Sequence, residues 1–262
     1  MLLDDHLQVV DHHLFRLYRR LEPLFLSLGV FQRKLPSFQF GHGLVEFRLR
    51  IPGHGGNVTS SDPRNLCNLW IVFLVHRPTA SAIEAFLAAS RNQPLSYGPA
   101  GIARESPRGY KLDEVRVEIG MGAAAFERAK SALLDWEMFS TGFTEVFPGH
   151  APTEDGSTVA VLVRHLGFWS LNACRVVYQI REEAAEEIRF GFAYGTLVEH
   201  GERGEEIFAV CLNRQTHKVS YWLRAASRPA AFLANLGYPI ARRLQARFRK
   251  ASCEAMVRAV GR

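Results

Sequence analysis

Four cysteines in 262 residues, none at the two-residue spacing of a zinc or redox motif, leave no disulfide framework and no thiolate metal site to build on. Cys67, Cys174, Cys211 and Cys253 read instead as reduced, mostly buried thiols. No apolar run approaches the roughly 18 residues of a membrane span. The longest, Leu69 to Val75, suits a buried strand. The start of the chain lacks the basic stretch and small-residue cleavage site of a secretory signal, so a cytoplasmic location is the expectation. G-x-S-x-G and H-E-x-x-H are both missing, and two common hydrolase routes go with them. Gly120-Met-Gly122 lacks the third glycine of a dinucleotide fingerprint and sits in no βαβ unit, which argues against nucleotide binding there. No histidine pair at ligand spacing accompanies the carboxylates, so neither metal nor cofactor is expected.

What is present is enough for a packed domain. Hydrophobic residues make up 47% of the chain and charged residues 22%, ordinary for a folded protein. The net charge of +6 is compatible with anionic ligands, nucleic acid or acidic membranes and selects none of them. Residues 1–74 differ in texture from the rest. They hold five of the ten histidines, with a sixth at His76, and Leu14 to Phe31 has helical apolar spacing interrupted by Pro23. Gly53 to Pro63 has loop composition. We expect an N-terminal extension over 1–74 and one α+β domain over 75–262.

The pattern of that domain is strand, helix, a run of antiparallel strands and a long helix. Ser81, with Glu84 three residues on, predicts a capping box for a helix over Ala82–Ser90. Val115, Val117 and Ile119 alternate with Arg116 and Glu118 as a half-buried strand. Ala123 to Phe139 reads as a helix. Strands follow over Val159–His165, Cys174–Ile180, Ile188–Thr196, Glu206–Leu212 and Val219–Ala225, the last two joined as a hairpin by the polar turn Asn213–Lys218. Pro229 predicts the opening of the final helix, with Ser227 as its cap and a kink near Asn235 from Pro239. Leu233, Leu236, Ile240, Leu244, Phe248, Ala251 and Ala255 form its apolar stripe.

Several stretches in this order look like one family. They are Gly120-Met-Gly-Ala-Ala-Ala-Phe126, Ala132-Leu-Leu-Asp-Trp-Glu-Met138, Val159-Ala-Val-Leu-Val-Arg164 with Phe168-Trp-Ser-Leu-Asn172, Cys174-Arg-Val-Val-Tyr178, Phe190-Gly-Phe-Ala-Tyr-Gly-Thr-Leu197, His200 with Gly204-Glu-Glu206, and Ser227-Arg-Pro229. Together they resemble the DUF1990 family, a domain of unknown function, over about Arg77 to Val260. The resemblance implies a START-like helix-grip fold, a curved antiparallel sheet gripping the long C-terminal helix. Many such proteins bind lipids or other apolar molecules, and a few act as cyclases or hydrolases. It brings no catalytic residues with it, and fold alone does not fix function.

A sheet gripping a helix leaves a concave space between them, where ligand sites concentrate. The expected partner is therefore a small apolar or amphipathic ligand, lined by Tyr178, Phe190, Phe192, Tyr194, Leu236, Ile240 and Leu244. Thr196, His200 and Arg228 would supply polar contacts. An enzyme using the same cavity, with His200 or Tyr194 as acid–base group and Arg175 or Arg228 as anion anchor, is the alternative. Each polar candidate also has an ordinary reading. Tyr194 suits a core ring with a bonded hydroxyl. His200, Glu202, Glu205 and Glu206 suit a solvated loop. Arg164, Arg175, Arg189 and Arg224 suit an outward face paired with glutamates. From Pro229 onward seven basic residues face one acidic residue, an excess equal to the chain's whole net charge. That helix could meet anionic membrane or nucleic acid. Nucleic acid ranks last, because few aromatic side chains interleave with the arginines.

Overall fold

The structure is a computed structural model that describes residues 77–105, 107–165, 168–198, 202–229 and 238–261, with short strand segments between residues 40 and 74. The helix expected over Leu14–Phe31 and the loop expected over Gly53–Pro63 lie outside the described residues. Phe38–Arg262 form one compact unit. Its first strands are β1 (Phe40–Gly41), β2 (Leu44–Val45), β3 (Phe47–Pro52), β4 (Leu66–Ile71) and β5 (Phe73–Leu74). β1 pairs with β2, and β3 with β4.

Helix α1 spans Ala80–Ser90, two residues more than expected, and Thr79 rather than Ser81 caps it. Thr79 holds an extended backbone and its Oγ1 accepts from the Ala82 N–H at 3.3 Å. The Ser81 hydroxyl is hydrogen-bonded to Thr79 instead. Thr79→Ala should therefore lower stability by about 1 kcal/mol in thermal denaturation, and Ser81→Ala by no more than a few tenths; the reverse order would return the cap to Ser81.

Next come β6 (Lys111–Met121), α2 (Gly122–Leu134) and a 3-10 turn over Glu137–Phe139. Gly122 makes the corner with φ +82, where a side chain would be strained. The helix expected to reach Phe139 stops at Leu134, because Trp136 turns left-handed at φ 57. Its indole Nε1 donates to the Ala151 carbonyl at 2.9 Å, and its ring meets Phe192 at 4.9 Å. Tertiary anchoring of that ring overrides a helical run.

The remaining strands are β7 (Thr144–Phe147), β8 (Thr158–His165), β9 (Phe168–Glu183), β10 (Glu187–Thr196), β11 (Glu202–Asn213) and β12 (Lys218–Pro229). They form a curved antiparallel sheet in the order β6-β12-β11-β10-β9-β8-β7, with β5 pairing beside β9. Five consecutive strand pairs are meander neighbours, and the last strand returns beside the first.

The final helix, α3, is Tyr238–Val260. Pro229 does not open it: Pro229 ends β12, and Ser227 lies within that strand. Pro239 lies within this helix, and the kink expected near Asn235 falls outside the described residues.

One face of the sheet carries the main core. Val159, Val161, Cys174, Val176, Phe192, Tyr194, Phe208, Val210, Tyr221 and Leu223 meet α2 through Phe126, Ala129 and Leu133, and α3 through Cys253, Met256 and Val260. The opposite face is covered by α1 over β8 and β9, and by the segment around Ile102 and Ala103 over β9 to β12. At Val177 the alternation of β9 slips. Ala193 pairs with Tyr178 but Tyr194 pairs with Val176, so Val177 is an inserted residue. Cys174 and Val176 face the helices; Tyr178 and Ile180 face away from them. The strand expected over Cys174–Ile180 would set Cys174, Val176, Tyr178 and Ile180 on one face by simple alternation, and the bulge corrects that.

Candidate functional site

The two halves of α3 meet different surroundings. In the second half Ser252, Cys253, Ala255 and Met256 are buried, and the Ser252 hydroxyl meets the Tyr221 hydroxyl at 2.9 Å with both residues fully enclosed. That part belongs to the core. In the first half Leu244, Gln245 and Phe248 keep partial exposure, and so does Glu206 on the sheet.

Polar side chains fill this seam. Both guanidinium nitrogens of Arg242 donate to Asp113 on β6, one of them to Oδ1 at 2.6 Å, and Arg242 also donates to Gln245 Oε1. Gln245 Nε2 reaches both oxygens of Glu202 at 2.7 Å and Ser227 Oγ at 3.3 Å. Arg249 stands 3.5 Å from Asp113. The hydrogen bonds from Arg242 hold the Asp113 carboxyl below the usual carboxylate range. Burial pushes Glu202 up, against the pull of Gln245.

Glu206 completes the seam. The Tyr194 hydroxyl donates to its Oε2 at 3.0 Å, and no other donor meets it among the described residues. The residue keeps partial exposure, but the protein crowds its carboxyl, and that desolvation pushes it up to about 7, with the Glu202 charge adding to the rise. Burial also raises the Tyr194 hydroxyl far above its ordinary value, so tyrosine is the donor and the carboxyl the acceptor. The Tyr194 ring meets Phe208 at 5.1 Å, and Phe139 bridges from Phe208 to Phe248 on α3.

Glu205, one residue earlier, points to the other face and is 2% exposed. Its carboxylate accepts from the Tyr97 hydroxyl at 2.9 Å, the Tyr178 hydroxyl at 2.7 Å, the Gly101 N–H at 2.8 Å and the Ala103 N–H at 3.1 Å. This is an anchor for the segment covering that face, with every acceptor direction in use. The solvated-loop expectation is corrected for Glu205 and Glu206.

The expected ligand residues are dispersed. Tyr194 and Leu244 lie at the seam. Phe192 is 1% exposed, wedged between Trp136 and Phe208. Phe190 lines a separate shallow cleft of about 340 Å³ with Phe192, His150, Gln179 and Arg181. Tyr178 and Arg228 lie on the opposite face: the bulge turns Tyr178 outward to Glu205, and Arg228 stacks over Tyr110 at 4.8 Å. Thr196 ties the end of β10 to Gly204 and Ser96. His200, Leu236 and the side chain of Ile240 lie outside the described residues. Arg175 donates to the Arg91 carbonyl at 2.8 Å, and Arg189 and Arg224 pair with Glu187 and Glu114, as outward arginines should.

Asp113, Glu206 and Gln245 were not singled out as ligand residues from the sequence. A usable signal was there for Glu206. The alternation of Ile207, Phe208, Ala209 and Val210 extends back through Glu205 and Glu206, so one of two adjacent carboxyls had to face the helices. Among the described residues no cluster of His, Cys, Asp and Glu suits a metal ion, and no helix is long and apolar enough to cross a membrane. Of the basic residues on α3, Arg242 and Arg249 turn to Asp113 and Arg258 donates to the Ser140 carbonyl, which thins the cationic face.

A family model described as a domain of unknown function, DUF1990, matches residues 96–255. The chain is 30% identical to a UPF0548 protein of Dictyostelium discoideum over 208 residues, covering 72% of this chain and 96% of that protein. It is 35% identical to a UPF0548 protein of Deinococcus radiodurans over 204 residues, covering 72% of this chain and all of that protein. Among solved structures it is similar to human STARD10, at 10% identity and TM-score 0.38, covering 71% of this chain and 80% of that one. It is similar also to a START superfamily protein from Mycobacterium smegmatis, at 13% identity and TM-score 0.38, covering 58% and 98%. Likenesses at that level say nothing of ligand or activity.

Proposed function

Since the chain belongs to the DUF1990 family, whose description assigns no activity, its role has to be argued from its own geometry, and we propose that it binds an amphipathic small molecule at the seam between the sheet and the first half of α3. The observation that carries this reading is Glu206: a carboxyl with one protein donor, set in an aromatic wall, beside helix residues that keep partial exposure. Its second oxygen is open to solvent and not stranded in the core, so a ligand donor can take the place of water there. The apolar body of the ligand rests against Tyr194, Leu244 and Phe248. On this reading the binding unit is 75–262, and residues 1–74 are an extension to it.

Displacement of a fluorescent apolar probe from the purified full chain tests the reading, with native mass spectrometry for co-purifying molecules. Leu244→Trp should fill the seam and weaken probe binding roughly tenfold, about 1.4 kcal/mol, while leaving thermal stability within about 1 kcal/mol. A chain that carries nothing and takes up no probe sinks the proposal.

One observation favours catalysis in the same seam as a second reading. A carboxyl titrating near neutrality is suited to general acid–base work, and Tyr194 is within hydrogen-bond reach of it. The acid–base role then falls to Glu206; His200 lies outside the described residues. Arg175 and Arg228 are engaged away from the seam and do not serve as its anion anchor. Glu206→Gln would abolish turnover and keep probe binding.

A further inference from the structure

The strong polar groups facing Glu206 already have protein partners. Arg242 and Arg249 turn to Asp113, Gln245 spans Glu202 and Ser227, and the Tyr221 and Ser252 hydroxyls meet each other. Among the carboxyls of the seam Glu206 is the one with an acceptor to spare: Oε2 takes the Tyr194 hydroxyl, and Oε1, which is not shut off from solvent, takes no donor among the described residues. Around it stand two more carboxyls, Asp113 and Glu202, and one guanidinium, Arg249, with Arg242 beside those two carboxyls and Tyr194, Tyr221 and Cys174 uncharged. An anionic head group brought to this place would meet an excess of carboxyls, and both guanidiniums are already shared with Asp113. A donor would find an open acceptor, and charge-assisted hydrogen bonds are the strong ones.

We propose that the molecule held at the seam presents a hydrogen-bond donor to Oε1 of Glu206, so the site selects an amine head over an alcohol and either over a carboxylate. The inference rests on the reading that an amphipathic ligand occupies the seam. It adds the chemical class of the head group, which an apolar wall alone does not determine. It also runs against the protein's overall field. A chain of net charge +6 attracts carboxylates non-specifically, so a preference for amines has to come from a local group.

The experiment measures displacement of an apolar fluorescent probe from the full chain by dodecylamine, dodecanol and dodecanoate, below their micellar concentrations, at pH 8. The expected order is amine, alcohol, carboxylate, with the amine roughly tenfold tighter than the alcohol. Glu206→Gln should bring the amine down to the alcohol. Tyr194→Phe, which frees the second oxygen, should keep or widen the amine's advantage. Dodecanoate binding as tightly as dodecylamine overturns the head-group inference and leaves the apolar seam standing. So does an amine preference that survives Glu206→Gln. If none of the three displaces the probe, or no probe binds, the seam itself is not a ligand site and the inference falls with it.

Discussion

Glu205→Ala should lower the stability of the domain by about 3–5 kcal/mol, seen as a fall of roughly 10 °C in Tm for a domain of this size. The carboxylate is 2% exposed and serves four donors, two tyrosine hydroxyls and two backbone N–H groups. Alanine leaves all four without their partner, the Ala103 N–H fully buried and the other three partly so, and a buried donor left unmet costs about 1–3 kcal/mol. The damage spreads through the segment those donors hold down. Ile102 and Ala103 pack on Ala193, Ile207 and Ala209, and Arg104 stacks over the Tyr178 ring at 4.6 Å. Gly195 lies beneath Tyr97, where a Cβ would fall 2.1 Å from the hydroxyl oxygen, so the ring can reach Glu205 only over a glycine. Tyr97→Phe and Tyr178→Phe, removing one donor each, should cost less, about 1.5–3 kcal/mol apiece. A chemical-denaturation loss below about 1 kcal/mol for Glu205→Ala would show that water satisfies the freed donors and that the anchor is not structural.

Glu206→Gln should behave in the opposite sense and depend on pH. The folded carboxyl releases its proton at about 7, and the same group in the unfolded chain at its ordinary value of 4.5. Between those values the folded state binds the proton that the unfolded state lacks. Stability from this group is therefore complete below about pH 4.5 and is lost as the pH rises through 7. With partial solvent contact reducing the full effect, wild type should lose about 2–3 kcal/mol between pH 4.5 and 8 relative to Glu206→Gln. Glu202 shifts in the same direction and Asp113 in the other, and both are present in the two proteins, so the difference curve isolates Glu206. Urea titrations at pH 5, 6, 7 and 8 measure it. Parallel stability curves for the two proteins would remove the case for a raised Glu206. At pH 8 the glutamine variant should be the more stable protein, the behaviour of a site whose polar group is kept despite its effect on folding.

The sheet was legible wherever one face is buried and the other is not. Phe190, Phe192 and Tyr194 follow the alternation of Ile188–Thr196 and face the helices as expected. The bulge at Val177 was not legible, because Val176, Val177 and Tyr178 are all apolar enough for either face and the inserted residue leaves no break in the pattern. Helix ends depended on contacts far away in sequence. Trp136 is held by Ala151, and no local pattern announces that. The cap fell on Thr79 although Ser81 and Glu84 make a plausible box, since two cap-forming residues stood two apart. The site was the least visible part. Its chemistry comes from Asp113, Glu206 and Gln245, which lie on three separate elements and meet only through the return of β12 beside β6.

Helix α3 is fastened in two unlike ways. Its second half is welded into the core through Met256 and Val260, and its first half is held by Arg242, Gln245 and Arg249 reaching to carboxyls and a hydroxyl. Mechanically that is a cantilever. Lifting the first half breaks polar contacts that water can replace and the single ring contact of Phe248 with Phe139, and leaves the apolar root untouched. The free energy of opening the seam is then set by a handful of side chains and is uncoupled from the stability of the domain as a whole. Exchange of molecules at the seam and persistence of the fold can therefore be tuned separately, by substitutions at opposite ends of one helix.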